Sequence, residues 1–247
     1  MGRAVLVTGA SGGIGAAIAR VFARAGDAVM VHYASSAERA QEVVDDLPGV
    51  GHVMFGADLA EPEQARRLVE TTAANLGGLD VVVNNAGTAA PEHAIDCSFE
   101  QWQLAWQRIV AVNLLGAAYV SHCAIPHLRE RRGRIVNVGS RAAYRGMPAA
   151  PAYAASKAAL HAFAQSLAVA VGGDGIAVTT VAPGVVDTGM GTPFLQGEVG
   201  EAIRGQSPFY RVATAEEVAS AVLYLASPEA EFASGTVLDL NGASYLR

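Results

Sequence analysis

The sequence predicts an α/β protein, a doubly wound, mostly parallel sheet of seven strands with helices on both faces. Three observations point there. Short β-branched runs alternate with longer Ala-rich segments whose apolar residues recur at helical spacing. Several of the short runs are almost continuously apolar, as parallel strands covered on both faces must be. The first run passes without a break into a glycine-rich turn and a helix. Strand, helix, strand repeated along the chain means right-handed crossovers.

In order, the predicted strands are 3–8 (RAVLVT), 28–33 (AVMVHY), 52–57 (HVMFGA), 79–84 (LDVVVN), 133–138 (GRIVNV), 175–181 (GIAVTTV) and 236–240 (TVLDL). Helices are predicted at about 13–25, 36–47, 61–76, 99–131, 151–171 and 214–226. In the third, Ala65, Leu68, Val69, Thr72 and Leu76 fall on one stripe. The segment 184–211 is rich in Gly and Pro and has no clear period, so a lid is expected at about 185–211. With no repeats, low-complexity tracts or linkers, residues 1–247 are expected to form a single domain.

Composition narrows the function classes. With 51% hydrophobic and 16% charged residues, the chain of 247 residues can bury a large core. A net charge of −6 gives no basic footprint for nucleic acid, and the cluster RERRGR at 129–134 is read as a solvated helix end. Cys97 and Cys123 are far apart and match no metal-ligand spacing, so they are expected as reduced thiols and no metal is expected. The N-terminal RAVLV is too short for a signal-peptide core, and no apolar run approaches bilayer-crossing length. A cytoplasmic protein with no membrane partner fits these features.

The chemistry begins at TGASGGIG, residues 8–15. Gly9 permits a tight turn, while Gly13 and Gly15 let backbone and helix approach closely. A helix starting near Ile14 offers free N–H groups and a partial positive charge to a pyrophosphate, the use made of such a turn in a Rossmann fold. A plain strand-to-helix turn would need the same glycines.

The spacing Gly-x-x-x-Gly-x-Gly after a threonine resembles the short-chain dehydrogenase/reductase family. Further motifs of that family follow in register: NNAG at 84–87, VNLLG at 112–116, GS at 139–140, YAASK at 153–157 and APG at 182–184. The whole pattern, including the C-terminal TVLDLNGASYLR, is similar to 3-oxoacyl-[acyl-carrier-protein] reductases and related ketone reductases. The resemblance implies a nicotinamide cofactor bound by Gly9, Ser11, Gly13, Ile14, Gly15, Tyr33, Ser35, Ser36, Asp58, Leu59, Asn85, Ala86, Gly87, Tyr153, Lys157, Pro183, Gly184, Val186 and Thr188. Asp58 would meet the adenine, although a helix cap would also explain it.

Lys157 is the only lysine in a chain with 16 arginines. It stands four residues after Tyr153, so on a helix the two share a face. A phenol is a poor proton donor or acceptor near neutrality, and an ammonium beside it favours the phenolate. A compact ammonium also fits where a planar guanidinium would not. By themselves the two residues would read as a surface aromatic and a solvated charge, and the surrounding motifs overturn that. By resemblance, Ser140 hydrogen-bonds the substrate oxygen. Asn113, inside a predicted helix and unfavourable there, kinks that helix and holds a water. The implied tetrad is Asn113, Ser140, Tyr153 and Lys157, exchanging a hydride and a proton with a carbonyl or secondary alcohol.

Relatives that prefer NAD end the second strand with a carboxylate that repels a 2′-phosphate. Here Tyr33 takes that position, and Ser35, Ser36 and, one turn on, Arg39 follow, which favours NADP(H) over NAD(H). The basic residue often found at Gly12 in NADP-preferring members is absent. Residues 88–98, 141–150 and 185–211 should wall the substrate pocket, with Met147, Met190, Phe194 and Phe209 making it apolar. A homotetramer, or a dimer, is expected. Two other readings stand beside this one: a non-catalytic nucleotide-binding sensor or scaffold, and a sugar-nucleotide epimerase or dehydratase. Against the latter are the glycine spacing and the lack of length for a substrate domain.

Overall fold

The computed structural model describes residues 2–89, 95–188 and 195–247. Nine strands are described: β1 (Ala4–Val7), β2 (Ala28–Tyr33), β3 (Val53–Gly56), β4 (Val81–Asn84), β5 (Arg134–Val138), β6 (Ala177–Pro183), β7 (Val186–Asp187), β8 (Ala213–Thr214) and β9 (Val237–Leu240). Seven of them form one sheet in the order β3-β2-β1-β4-β5-β6-β9, and every pairing in it is parallel. The order reverses between β1 and β4, the crevice where open α/β sheets take their ligands.

Strand alternation sorts the core into two layers. Val5 and Val7 of β1, Val29 and Val31 of β2, and Val136 and Val138 of β5 pack with α1 (Gly13–Arg24), α2 (Ala37–Asp46) and α8 (Ala215–Leu225). Leu6, Met30, Ile135 and Val178 point the other way, onto α3 (Pro62–Leu76), α5 (Ala117–Arg131) and α6 (Pro151–Val171). Both faces of the central strands are therefore largely apolar, which is why those runs read as continuous, while the edge strands β3 and β9 are partly exposed. The stripe expected on α3 is buried at Ala65, Leu68, Val69 and Thr72.

Three features depart from the sequence reading. The helix at 99–131 is not uniform: α4 (Phe99–Val110) passes into a π-helical turn, Ala111–Gly116, before α5. The aperiodic segment 184–211 contains a further helix, α7 (Gly197–Arg204), and β7 pairs with β8 as a separate two-stranded ribbon. The cluster at 129–134 is exposed at Arg129, Arg131 and Arg132, as expected of a solvated helix end, but not at Arg134. Arg129 pairs with Asp174, Arg131 with Asp80, and both Arg132 and Arg134 with Glu231, Arg134 being only 7% exposed in β5. These guanidiniums join helix ends to strand starts, and carboxylates from other elements neutralise them.

The stretch Phe99–Arg131 is also long and apolar enough, by length and composition, to cross a bilayer, contrary to expectation, with a window of mean hydropathy 1.6. In this fold its inner side packs on α3 and the sheet, and its π turn carries the buried Asn113.

Candidate active site

The glycine-rich turn is shaped by close approach. A Cβ on Gly15 would overlap Gly9 O and stand 2.6 Å from Asn85 Nδ2, and one on Gly9, at φ +64°, would stand 2.8 Å from Ala86 Cα. The α1 N-terminus has no side-chain cap and no acidic residue in its first turn, so its N–H groups remain free to meet an anion. A Cβ on Gly13, at φ +55°, would touch the Thr188 side chain at 3.6 Å. The turn is cross-braced to β4: Asn85 donates to Thr8 O at 2.9 Å and Gly9 O at 3.0 Å, and Thr8 Oγ1 accepts the N–H groups of Asn85 (2.9 Å) and Ala86 (3.0 Å).

A second brace comes from His32 in β2, which the sequence reading missed. Its Nδ1 accepts the Gly9 N–H at 2.9 Å, so Nε2 carries the proton and donates to Ala57 O at 3.0 Å. Burial lowers its pKa to about 4, outweighing the bond to Ala57 and the charge of Asp58, so the ring is neutral. A histidine inside an apolar strand gives little warning of this task; the position directly beside the glycine turn in the parallel sheet is the signal.

At the end of β2, Tyr33 stands with no carboxylate, its ring over Gly56, where a Cβ would come within 2.9 Å. Arg39 reaches back to Ser36 Oγ at 2.5 Å, closing a small polar corner with Ser35. Asp58 accepts Ala60 N–H at 3.0 Å and pairs with Arg108 at 2.9 Å. Burial would raise this carboxyl, but those two partners hold it below its usual range. Leu59 is buried against Gly116 of the π turn. Pro183 closes β6, Gly184 lies against Asn241, and Val186 is buried in β7.

The four residues of the implied tetrad converge. Asn113 is 1% exposed; it exchanges bonds with Thr88, accepting its N–H at 2.8 Å and donating to its carbonyl at 2.9 Å, and donates to Ser156 Oγ at 3.1 Å. Gly87 leaves room beside it: a Cβ there would lie 3.3 Å from Asn113 Oδ1 and 3.5 Å from Lys157 Nζ. Lys157 is 4% exposed, donates to Val138 O at 2.7 Å, and holds its ammonium 5.8 Å from the centre of the Tyr153 ring. No carboxylate pairs with it among the described residues, and burial pulls its pKa from 10.5 to about 8. Burial raises the Tyr153 phenol above its ordinary range, outweighing the opposite pull of the nearby Ser140 hydroxyl. The expected lowering of the phenol by the ammonium is thus not the dominant effect in this arrangement.

Ser140 Oγ accepts the Ala142 N–H at 3.0 Å, and the Ser140 N–H donates to His161 Nε2 at 3.4 Å. His161 was also missed, although it stands on the Tyr153–Lys157 stripe one further turn along α6. Of the expected pocket residues, Met190 and Phe194 lie outside the described residues. Met147 is 39% exposed, and Phe209 lines a cavity of about 330 Å³ with Arg141, Val185, Leu240 and Ser244 that includes none of the tetrad. No group of three or more potential metal ligands occurs among the described residues.

A dinucleotide cradle at a topological switch point, with a half-buried tyrosine and a buried lysine beside it, defines a nicotinamide-dependent oxidoreductase. The comparisons agree. A family model described as Enoyl-(Acyl carrier protein) reductase matches residues 9–242. The chain is 34% identical to versicolorin reductase of Emericella nidulans, over 99% of this chain and 96% of the relative. It is 37% identical to a 3-oxoacyl-[acyl-carrier-protein] reductase of Vibrio cholerae, over 99% and 98%. A short chain dehydrogenase from Burkholderia cenocepacia, solved in complex with NADP, superposes with a TM-score of 0.90 at 38% identity, covering 99% of this chain and 98% of that one. The chain belongs to the short-chain dehydrogenase/reductase family, and it is an enzyme of the oxidoreductase class acting on small molecules.

Proposed function

We propose that the chain is an NADP(H)-dependent carbonyl reductase, or secondary-alcohol dehydrogenase in reverse, with Tyr153 as general acid and base. The observation that carries this reading is the buried Lys157 ammonium, held without a carboxylate beside Tyr153. A charge kept in the interior at such cost is there for chemistry rather than stability. The residues fit the cofactor: the uncapped α1 N-terminus suits a pyrophosphate, and Gly9 and Gly15 keep the turn free of side chains. When bound, the dinucleotide supplies or accepts the hydride.

The chain's own groups handle the proton and the orientation. Ser140 accepts the Ala142 N–H through one lone pair, which orients its hydroxyl and leaves the O–H able to turn to a substrate oxygen beside Tyr153. Tyr153, kept protonated by burial, gives its proton to that oxygen during reduction and takes it back during oxidation. Lys157 stabilises the phenolate that results, and Asn113, fixed through Thr88 and Ser156, holds the π turn open beside it. The absence of a carboxylate at Tyr33, with Ser35, Ser36 and Arg39 adjacent, supports NADP(H) over NAD(H). The NADP held by the structural neighbour points the same way.

This reading takes the chain as one dinucleotide-binding domain with its lid at 185–211, a cytoplasmic homotetramer in the manner of its family. The test is nicotinamide absorbance with a panel of ketones and alcohols and each cofactor. NADPH should be oxidised with at least one ketone, and Tyr153→Phe should lose about a thousand-fold or more in kcat while still binding NADPH. Equal turnover by Tyr153→Phe refutes the assigned acid.

A further inference from the structure

The catalytic serine is tied to α6 by a chain of contacts that the proposed reaction leaves unassigned. His161 is 3% exposed and follows Tyr153 and Lys157 at successive four-residue steps, so all three project from one face of α6. Its Nε2 accepts the Ser140 N–H at 3.4 Å, which puts the ring proton on Nδ1, directed to Tyr144 Oη at 3.1 Å. The two rings also pack, with centroids 5.3 Å apart.

Behind Tyr144 stands the last residue of the chain. The Arg247 guanidinium lies 4.4 Å from the centre of the Tyr144 ring and donates to its hydroxyl at 3.1 Å. It is fixed in turn by Asp239 at 2.8 Å and by Val237 O at 2.8 Å, both on β9. The glycine of the GS pair gains a physical reason here, since a Cβ on Gly139 would overlap His161 Nε2.

We propose that His161, backed by Tyr144 and Arg247, is a positioning residue that sets Ser140 against Tyr153. Ser140 belongs to a turn that follows β5, one residue beyond the last ladder bond, Gly139 N–H to Val181 O at 2.8 Å. Its Oγ bond to Ala142 N–H is internal to the turn and cannot fix the turn relative to α6. Lys157 already ties α6 to Val138 O, and His161 extends the tie to Ser140 itself from the same helix that carries the phenol, so one element fixes both ends of the Ser140–Tyr153 contact. Misplacement of a reacting group by about 1 Å can cost a hundred-fold in rate, which gives the link its value.

The inference rests on Tyr153 and Ser140 acting as proposed above, so its test includes a readout that needs no turnover. In hydrogen exchange, His161→Leu should raise exchange of the 139–145 segment by about ten-fold or more and leave 153–157 protected. In steady-state assays the same variant should lose about ten-fold or more in kcat, with the NADPH Kd within about two-fold of the parent. His161→Gln, whose Oε1 reaches the place of Nε2, should recover most of both effects. Tyr144→Phe and Arg247→Ala act from outside the core; each should lower kcat by about two- to five-fold, and they decide the matter should His161→Leu fail to fold. Unchanged exchange at 139–145 in a folded His161→Leu, His161→Gln as impaired as His161→Leu, or parental kcat in both outer variants overturns the proposal. A parent inactive on every carbonyl would defeat the proposed reaction while leaving the exchange result to stand or fall alone.

Discussion

Replacing Lys157 by methionine should destroy activity and stabilise the protein. The ammonium is 4% exposed, has one backbone carbonyl as its assigned partner and no carboxylate, and its pKa falls from 10.5 to about 8 through burial. At about 1.4 kcal/mol per unit, holding that charge in the folded state at pH 7 costs about 3 kcal/mol. Methionine fills similar space without charge, but leaves Val138 O unpaired, a loss of about 1–2 kcal/mol. The cofactor-free variant should therefore be more stable by about 1–2 kcal/mol at pH 7, a rise in Tm of about 2–4 °C per kcal/mol. The sign with pH follows from linkage. Between pH 8 and 10.5 the native lysine has released its proton and the unfolded one has not, so the parent gains stability as pH rises. By pH 9.5 it should recover about 2 kcal/mol, closing or reversing the gap. Urea denaturation of both proteins at pH 7 and pH 9.5 measures this. A variant less stable than the parent at pH 7, by a margin that does not change with pH, would show that the lysine holds the fold and that its charge is not under strain.

Two further outcomes follow from the glycine turn and the buried histidines. Gly15→Ala should cost about 1–3 kcal/mol and most of the NADPH affinity, since its Cβ would overlap Gly9 O, whereas Gly12→Ala, with nothing within 4 Å, should change stability by under about 0.5 kcal/mol; thermal melts and NADPH fluorescence titration compare them. His32, with a pKa of about 4 against an unfolded 6.5, contributes stability that is fully present above pH 6.5 and is lost as pH falls toward 4. Its share of that acid loss, about 3 kcal/mol, should vanish in His32→Asn when unfolding is followed from pH 7 to pH 4, and an unchanged slope would contradict the neutral, doubly bonded ring.

What could be read from the sequence follows the range of the interactions involved. The apolar faces of the central strands are written in consecutive residues, and the edge strands in short runs between turn residues, so all seven sheet strands are legible. So are Tyr153 and Lys157, four apart on one helix, and the glycines whose Cβ atoms have no room. The π turn at Ala111–Gly116 hides inside an apolar helical run, because nothing local distinguishes it from α-helix except the misplaced Asn113, whose partners Thr88 and Ser156 lie 25 and 43 residues away. The burial of Arg134 is hidden for the same reason, since its partner Glu231 is distant in the chain.

The same distinction of range explains why His32 and His161 were both missed. Each reads as one polar residue in an apolar element, and each acquires its task only when the sheet brings a turn alongside: Gly9 to His32 across β1 and β2, Ser140 to His161 across β5 and α6. In both cases a neutral imidazole accepts a backbone N–H from a loop that carries function, and donates from its other nitrogen to a second element. Beyond the last ladder bonds, Ala10 N–H to His32 O and Gly139 N–H to Val181 O, these loops leave the sheet. A buried ring with one acceptor and one donor, anchored in a strand or helix, gives each such loop a fixed register against the scaffold. On this view the two histidines are equivalent devices, one serving the dinucleotide turn and one the serine turn.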